Sequence, residues 1–262
     1  MAQPVNGIFL ESAVLLVGHL LFWFLLSILL KRNDVADIGW GMGYVLLCVY
    51  HAVTKPLHPT VVVCYILVLF WGLRLSYYLV QRNRRKSEDF RYLQWRKEWG
   101  RTFYWRSFLQ VYVLQSFFLF LIASPVLHAA SFVASTWTFF TGAGIAIWLI
   151  GFYWQVVGDR QLARFIASRK SKEEVLNTGL WAYSRHPNYF GEVVMWWGIY
   201  MTVWPLSGSL VFIIGPLTIT WLIRYVSGVP MLERRYAGNE AYQAYQKQVP
   251  ALFPRLRRIQ SN

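Results

Sequence analysis

Hydrophobic positions along this chain come in long unbroken runs, not in the alternation of half-buried strands or the narrow stripes of soluble helices. Seven apolar stretches stand out, about Ile8–Leu30, Ala36–Val53, Pro59–Val80, Ser107–His128, Ser135–Val157, Asn188–Trp204 and Ser207–Val226. A helix needs roughly 20 mainly apolar residues to cross a bilayer. The pattern therefore predicts an all-α integral membrane protein of about seven transmembrane helices. The second and sixth stretches are short and fit tilted or partly re-entrant segments. We expect a single membrane domain over residues 1–262. Spans one to four, residues 1–130, would carry a substrate-side pocket. Spans five to seven with their loops and tail, residues 131–262, would carry a cofactor site.

The polar intervals support this division. Lys31 and Arg32 follow the first stretch. Residues 81–106 hold Arg82, Arg84, Arg85, Lys86, Arg91, Arg96, Lys97, Arg101 and Arg106. Residues 158–187 hold Arg160, Arg164, Arg169, Lys170, Lys172 and Arg185, and the tail holds Arg234, Arg235, Lys247, Arg255, Arg257 and Arg258. Alternate loops thus carry 23 basic residues against one, Lys55. Basic loops stay in the cytosol, which places the N-terminus outside and the C-terminus inside. An even number of spans would break the alternation.

Composition agrees. Hydrophobic residues make up 56% and charged residues 15% of the 262, against roughly 25% charged in a soluble domain. That excludes an ordinary cytosolic enzyme, a disordered chain and a disulfide-rich module. The net charge of +14 would suggest nucleic acid in a soluble chain. Here it suggests anionic headgroups or ligands, since zinc-finger, basic-zipper and RNP patterns are absent. Cys48 and Cys64 lie inside apolar runs and read as small buried hydrophobes. The first stretch is too long for a cleaved signal, and the last residues carry no lipidation signal. The five histidines show no HxxH or HExxH spacing, so no metal is expected.

Charged groups inside a bilayer are costly and therefore functional candidates. Asp37 opens span two, Arg74 sits near the cytosolic end of span three, Glu192 early in span six and Arg224 late in span seven. Asp159 follows span five, one turn after Gln155. One reading is a polar mouth narrowing into an apolar pocket; the other is snorkelling and structural pairs such as Asp37 with Arg74. Gly39 with Gly43, and Gly142 with Gly144, are small residues suited to close helix packing.

The most informative segment is Leu176-Asn177-Thr178-Gly179-Leu180-Trp181-Ala182-Tyr183-Ser184-Arg185-His186-Pro187-Asn188-Tyr189-Phe190-Gly191-Glu192. Gly179 suits a turn, and Pro187 suits the first turn of a helix. The free donors and positive end of span six, beside Arg185, suit an anion. Asn188 and Glu192 share one helix face, placed to read an amide or ribose hydroxyls. Arg160 and Arg164 share another, with Arg169, Lys170 and Lys172 following; such groups hold phosphates. The plain alternative is a basic loop on lipid headgroups. Similarly, Glu88 to Tyr92 reads as an ion-paired cytosolic helix or as a lid.

This segment resembles the C-terminal signature of the steroid 5-alpha-reductase-like membrane reductases, especially their uncharacterised bacterial relatives. The resemblance extends to Val35–Gly41, Trp71–Leu75, Glu88–Tyr92, Gly158–Leu162 and Glu233–Tyr236, with Tyr242, Tyr245, Pro250 and Pro254. It implies a seven-span fold in a bacterial inner membrane that binds NADPH. It carries over Asn188, Glu192 and Asp159 as cofactor residues; with the residues read above, the cofactor candidates are Gln155, Asp159, Arg160, Arg164, Lys170, Leu176, Trp181, Tyr183, Ser184, Arg185, His186, Asn188, Tyr189, Glu192, Arg224, Glu233 and Tyr236. Gln155 stands where the family has Asn, and Glu233 with Tyr236 where the steroid enzymes carry His and Tyr. The Ser-Arg-His-Pro-x-Tyr core also resembles isoprenylcysteine carboxyl methyltransferases, which bind S-adenosylmethionine.

Hydride transfer to a conjugated C=C bond needs a donor on the carbonyl where charge develops. Asp37, Tyr44 and Arg74 are the catalytic candidates, with Tyr77 and Tyr78 nearby. The expectation is an NADPH-dependent reductase of a sterol-like, isoprenoid or fatty substrate entering from the surrounding membrane lipids. The alternatives are a membrane methyltransferase and a non-enzymatic lipid-binding or transport protein.

Overall fold

The structure is a computed structural model that describes residues 5–84, 86–171 and 173–255. Arg85, Lys172, Arg257 and Arg258, counted above among the basic residues, lie outside the described residues. The described chain is helical, with no strand among the described residues. The helices are α1 Val5–Leu30, α2 Val35–Thr54, α3 Pro59–Arg84, α4 Phe90–Trp99, α5 Phe103–Ser107, α6 Leu114–Ala130, α7 Phe139–Ser168, α8 Pro187–Val203, α9 Ile214–Trp221, α10 Val229–Arg234 and α11 Glu240–Gln248. Every apolar stretch of the sequence falls on one of these or on a run of them. Among the described residues, five runs are long and apolar enough to cross a bilayer: Asn6–Leu30, Pro59–Arg84, Phe90–Ala130, Phe139–Ser168 and Val211–Arg234. The shorter second and sixth stretches form α2, 20 residues long, and α8, 17 residues long. Leu10, Val14, Val17, Leu21, Phe22, Leu25 and Leu29 of α1 are all exposed. Such a surface suits lipid, not water. The chain is a multi-pass integral membrane protein.

The chain divides into two compact units. One is Met1–Thr138 with Val203–Ile214; the other is Phe139–Thr202 with Gly215–Asn262.

In the first unit α2 packs against α1, α3 and α6, and its glycines explain how. Gly39 faces α1, where an added Cβ would stand 2.9 Å from Trp23 Cγ. Gly41 faces α3, where it would stand 2.6 Å from Ser76 Oγ and 2.8 Å from the Gly72 carbonyl. Gly43 faces Leu119 of α6 and His19 of α1. Three glycines two residues apart thus let one helix approach three others. Lys31 ends α1 in the left-handed conformation, φ 54°, and the Arg32 N–H returns to the Ser27 carbonyl at 3.1 Å, a closing turn of the kind that terminates helices. Cys48 and Cys64 are free and buried.

In the second unit α7 and α8 run antiparallel along glycines spaced by seven. An added Cβ on Gly144 would stand 2.6 Å from the Gly198 carbonyl, and one on Gly151 2.6 Å from the Gly191 carbonyl. One on Gly158 would stand 3.1 Å from Asn188 N. A seven-residue repeat keeps one face of a helix on its partner. Gly142, expected to pack with Gly144, instead faces open space. Two residues turn a helix by about 200°, which sends it to the opposite side. The tail folds back as α11, whose Tyr242 and Tyr245 pack with Val249, Val175 and Tyr236.

Candidate functional site

The close approach at Gly158 brings the end of α7 against the first turn of α8, which begins at Pro187 as its sequence predicts. Two polar pairs bridge the helices there. Asn188 Nδ2 donates to Asp159 Oδ1 at 3.0 Å, and Gln155 Nε2 donates to Glu192 Oε2 at 3.2 Å. Because the carboxylate can only accept, Asn188 must turn its N–H toward it. The Asn188 Oδ1 is then left as an acceptor, buried and without a hydrogen-bond partner among the described residues.

The loop before α8 is docked by side chains. Gly179 is left-handed at φ 62°; a side chain there would be strained and would strike Gln161. Gln161 Oε1 accepts the Leu180 N–H at 3.0 Å, and Trp181 Nε1 donates to the Gly158 carbonyl at 3.2 Å. Ser184 Oγ donates to the Leu252 carbonyl at 2.8 Å and accepts the His186 N–H at 3.2 Å. The Tyr245 hydroxyl donates to the Trp181 carbonyl, and the Tyr183 carbonyl accepts the Arg255 N–H at 3.1 Å.

Glu233 is the hub of this region. Its Oε1 receives Arg185 Nε at 2.8 Å, His186 Nε2 at 3.1 Å and the Tyr242 hydroxyl at 3.4 Å. Its Oε2 receives Gln246 Nε2 at 3.0 Å. Arg185 also donates to the carbonyls of Gln246 and Val249. The sequence places Arg185 at an anion site; the structure commits its guanidinium to the tail. Burial lowers the pKa of His186, with Glu233 pulling the other way. Burial raises those of Tyr242 and Tyr245.

The other residues expected at a cofactor site are distributed around this core. Tyr189 stacks on His186 at 5.5 Å, and Tyr236 on Tyr242 at 4.7 Å. Leu176 is half-buried in the preceding loop, and Arg160, Arg164 and Lys170 are exposed. Arg224 lies in a π-helical turn, Leu222–Val226, with its guanidinium 5.1 Å from the Tyr225 ring centre.

The catalytic candidates of the first unit are placed otherwise than expected. Asp37 does not pair with Arg74. Its Oδ2 receives Arg91 Nη2, with Arg82 at 3.9 Å, and its Oδ1 receives the Tyr92 hydroxyl at 2.8 Å. Arg74 lies on the neighbouring helix α3, eight residues before Arg82, its guanidinium 5.7 Å from the Tyr78 ring. The Arg91 and Tyr92 of α4 are carried to Asp37 by a short helix capped by Asp89, which accepts the Arg91 N–H at 3.1 Å. Around them Asp34 binds Arg32 at 2.8 Å, and Glu88 binds Arg96 at 3.0 Å and the Asn33 N–H at 2.6 Å. Burial alone would raise the pKa of Asp89, but its bonds to Arg91, with the charge of Arg82, hold it below the usual range. The segment Glu88–Tyr92 is thus the ion-paired entry to α4, with Glu88 and Asp89 before the helix and Arg91 and Tyr92 in its first turn. Tyr44 is buried elsewhere, edge-on to Trp71 at 5.2 Å and to Trp40 at 5.6 Å.

Sequence reasoning overlooked Arg91 and Arg82 as partners of Asp37, Gln161 as the support of Gly179, and a buried pair, Ser12 and His51, joined at 2.8 Å. The last had a signal: polar residues facing each other within two apolar runs.

Residues 23–249 match the family described as protein of unknown function (DUF1295). The chain belongs to this family. Among similar proteins, an uncharacterized protein of Schizosaccharomyces pombe is 25% identical over 213 residues, 71% of this chain and 61% of that one. The 3-oxo-5-alpha-steroid 4-dehydrogenase 1 of Mus musculus is 32% identical over 65 residues, 25% of this chain and 26% of that protein. Its counterpart in Bos taurus is 34% identical over 65 residues, 25% of each chain. This DUF1295 protein thus spans less than two thirds of the curated relatives it matches. No solved structure matches it. The resemblance to steroid 5-alpha-reductase-like proteins, read from the motifs, is borne out.

Proposed function

We propose that this DUF1295 protein is a membrane-embedded, NADPH-dependent reductase of a C=C bond in a sterol-like, isoprenoid or fatty substrate. The observation that carries this reading is the buried Asn188 Oδ1, oriented by Asp159 and left as an acceptor. A nicotinamide carboxamide offers the N–H that such an acceptor lacks. Buried acceptors without partners are costly, and a ligand donor at this position removes the cost. When bound, NADPH supplies the hydride.

The chain's own residues then have distinct tasks. Asn188 orients the carboxamide, with Asp159 holding Asn188 in place. Glu192, carried one turn further along α8 and bonded to Gln155, is placed to accept ribose hydroxyls. The exposed Arg160 and Arg164 share a face and take the 2′-phosphate, with Lys170 beside them in the loop. Arg185 and Glu233 act as positioning residues that bind the tail to the loop. In the first unit Asp37 already accepts from Arg91 and Tyr92 and serves as an anchor. Tyr44 and Arg74 are the residues we propose for polarising a substrate carbonyl. The cytosolic placement of the basic loops and tail, and a bacterial inner membrane, belong to the same reading.

Thermal unfolding of the purified full-length protein with NADPH, NADH or S-adenosylmethionine tests it. Stabilisation by NADPH, reduced in Asn188→Leu, supports the reading. Stabilisation by S-adenosylmethionine alone points to a methyltransferase, and stabilisation by neither to a lipid-binding or transport protein.

A further inference from the structure

Gln161 has no part in the cofactor contacts proposed above, yet its half-buried side chain lies against the loop that leads into α8. The Leu180 N–H can only donate, so the amide oxygen must face it. Oε1 accepts that N–H at 3.0 Å. The same amide covers Gly179. A Cβ added there would run into Nε2, with Cδ at 2.7 Å and Oε1 at 2.8 Å. All three atoms crowd the one position, so the amide lies across the glycine. Gly179 therefore meets two demands. Its φ of 62° suits glycine, and its bare Cα makes room for Gln161.

About one turn earlier on α7, the Gly158 carbonyl accepts Trp181 Nε1 at 3.2 Å. Residues 158 and 161 share a face of the helix, and that face holds the loop. The tail is fastened to the same loop, through the Tyr245 hydroxyl on the Trp181 carbonyl and Ser184 Oγ on the Leu252 carbonyl. Loop and tail thus form one block, which meets α7 at Gln161 and Gly158. Asp159, which receives Asn188 Nδ2 at 3.0 Å, is two residues from Gln161 and so about 200° around the helix. The chain from Leu180 to Asn188 passes from one side of α7 to the other and is fastened at both ends. Gly179–Ala182 is a short 3-10 helix, and Pro187 opens α8 with a fixed φ. With both ends stiff, a shift of the loop on α7 moves the first turn of α8 against Asp159.

We infer that Gln161 is a positioning residue of the cofactor site. By latching the loop to α7 it sets the register in which Asn188 meets Asp159, and so keeps the Asn188 Oδ1 turned toward the ligand. It touches no cofactor atom. Its amide oxygen is the working group, because that atom accepts from Leu180. This deepens the reductase reading and rests on it for the identity of the ligand; the latch itself needs no nucleotide.

Amide hydrogen exchange and NADPH titration of the full-length protein in lipid nanodiscs test the inference. Gln161→Met keeps the length of the side chain and removes the acceptor, whereas Gln161→Glu keeps an acceptor oxygen. Without nucleotide, the Leu180 amide should exchange about tenfold faster in Gln161→Met and at nearly the wild-type rate in Gln161→Glu. In titrations Gln161→Met should bind NADPH about threefold more weakly than the wild type. Made on top of Asn188→Leu, the same substitution should cause no further loss, because residues acting through one another are not additive. A merely structural glutamine would lower the melting temperature and leave the affinity alone; that result overturns the inference, as does an equal loss of affinity in both backgrounds. Should Gln161→Met not fold, Gln161→Asn, one methylene too short to reach Leu180, is measured in its place with the same expectations. Faster Leu180 exchange with no NADPH binding by the wild type would keep the latch and sink the reductase reading; NADPH binding with Leu180 exchange unchanged in Gln161→Met would do the reverse.

Discussion

Asn188 Nδ2 donates to Asp159 Oδ1 at 3.0 Å, and that one bond sets the chemistry of the α7–α8 junction. It turns the amide so that its oxygen, not its nitrogen, is left for a ligand. The hypothesis that this oxygen receives a carboxamide N–H makes Asn188→Leu a sharp probe. NADPH should bind roughly tenfold more weakly, about 1.4 kcal/mol, in a fluorescence titration. Asn188→Asp sets a second carboxylate against Asp159 and should do at least as much harm. Unchanged affinity in both variants would remove Asn188 from the site.

Arg160 and Arg164 are exposed on the last turns of α7. Exposed substitutions away from packed features change stability by roughly 0.5 kcal/mol or less. The double variant Arg160→Ala/Arg164→Ala should therefore melt like the wild type. It should, however, bring the affinities for NADPH and NADH together, because only NADPH carries the 2′-phosphate. A retained preference for NADPH would assign the phosphate to other residues.

Arg185 behaves differently. Its side chain is 10% exposed and that of its partner Glu233 17%. Removing one member of a mostly buried, hydrogen-bonded pair costs about 3–5 kcal/mol. Arg185→Ala should lower the melting temperature and open the tail to limited proteolysis before it affects the rest of the chain. Wild-type melting, together with lost cofactor binding, would instead make Arg185 a direct ligand of the phosphates.

Asp89 offers a pH signature. Its pKa lies below the usual range in the folded state because Arg91 and Arg82 favour the carboxylate. The folded state thus binds the proton less readily than the unfolded chain. The stabilisation is complete above the unfolded value of about 3.9 and is lost as pH falls through the lowered folded value. Asp89→Asn should be less stable than the wild type at neutral pH, and the two unfolding curves should converge in acid. A gap that stays constant down to acid pH would show that the charge of Asp89 contributes nothing.

Asp37→Asn tests the anchor. It leaves Arg91 without its carboxylate partner on Asp37 while keeping the shape of the side chain. Melting should fall by an amount worth about 1–3 kcal/mol, with NADPH affinity retained. Wild-type melting with abolished turnover would return Asp37 to the role of an acid.

Much of the architecture was legible because bilayer spans announce themselves by length. Each apolar run became a helix, and Pro187 opened α8 as its fixed φ and missing N–H suggest. What was hidden depends on partners distant in sequence. Arg91 meets Asp37 across 54 positions and Glu233 meets Arg185 across 48, separations that no local period encodes. The pairing of Asp37 with Arg74 failed because similar depth in a membrane does not set the direction of a side chain. The contact of α7 with α8 was partly readable: Gly144, Gly151 and Gly158 recur every seven residues, the repeat of a sustained helix seam. Gly142 breaks that period and faces away. The cofactor motif was visible as a cluster of residue types, but only the folded geometry shows that Arg185 is bound to the tail while Asn188 Oδ1 is left open.

The most direct measurement is calorimetric titration of NADPH into the purified full-length protein in nanodiscs, alongside Asn188→Leu. The account requires saturable binding at one site per chain, weakened roughly tenfold by the substitution. Absence of binding by any dinucleotide, or identical binding by both proteins, would contradict it.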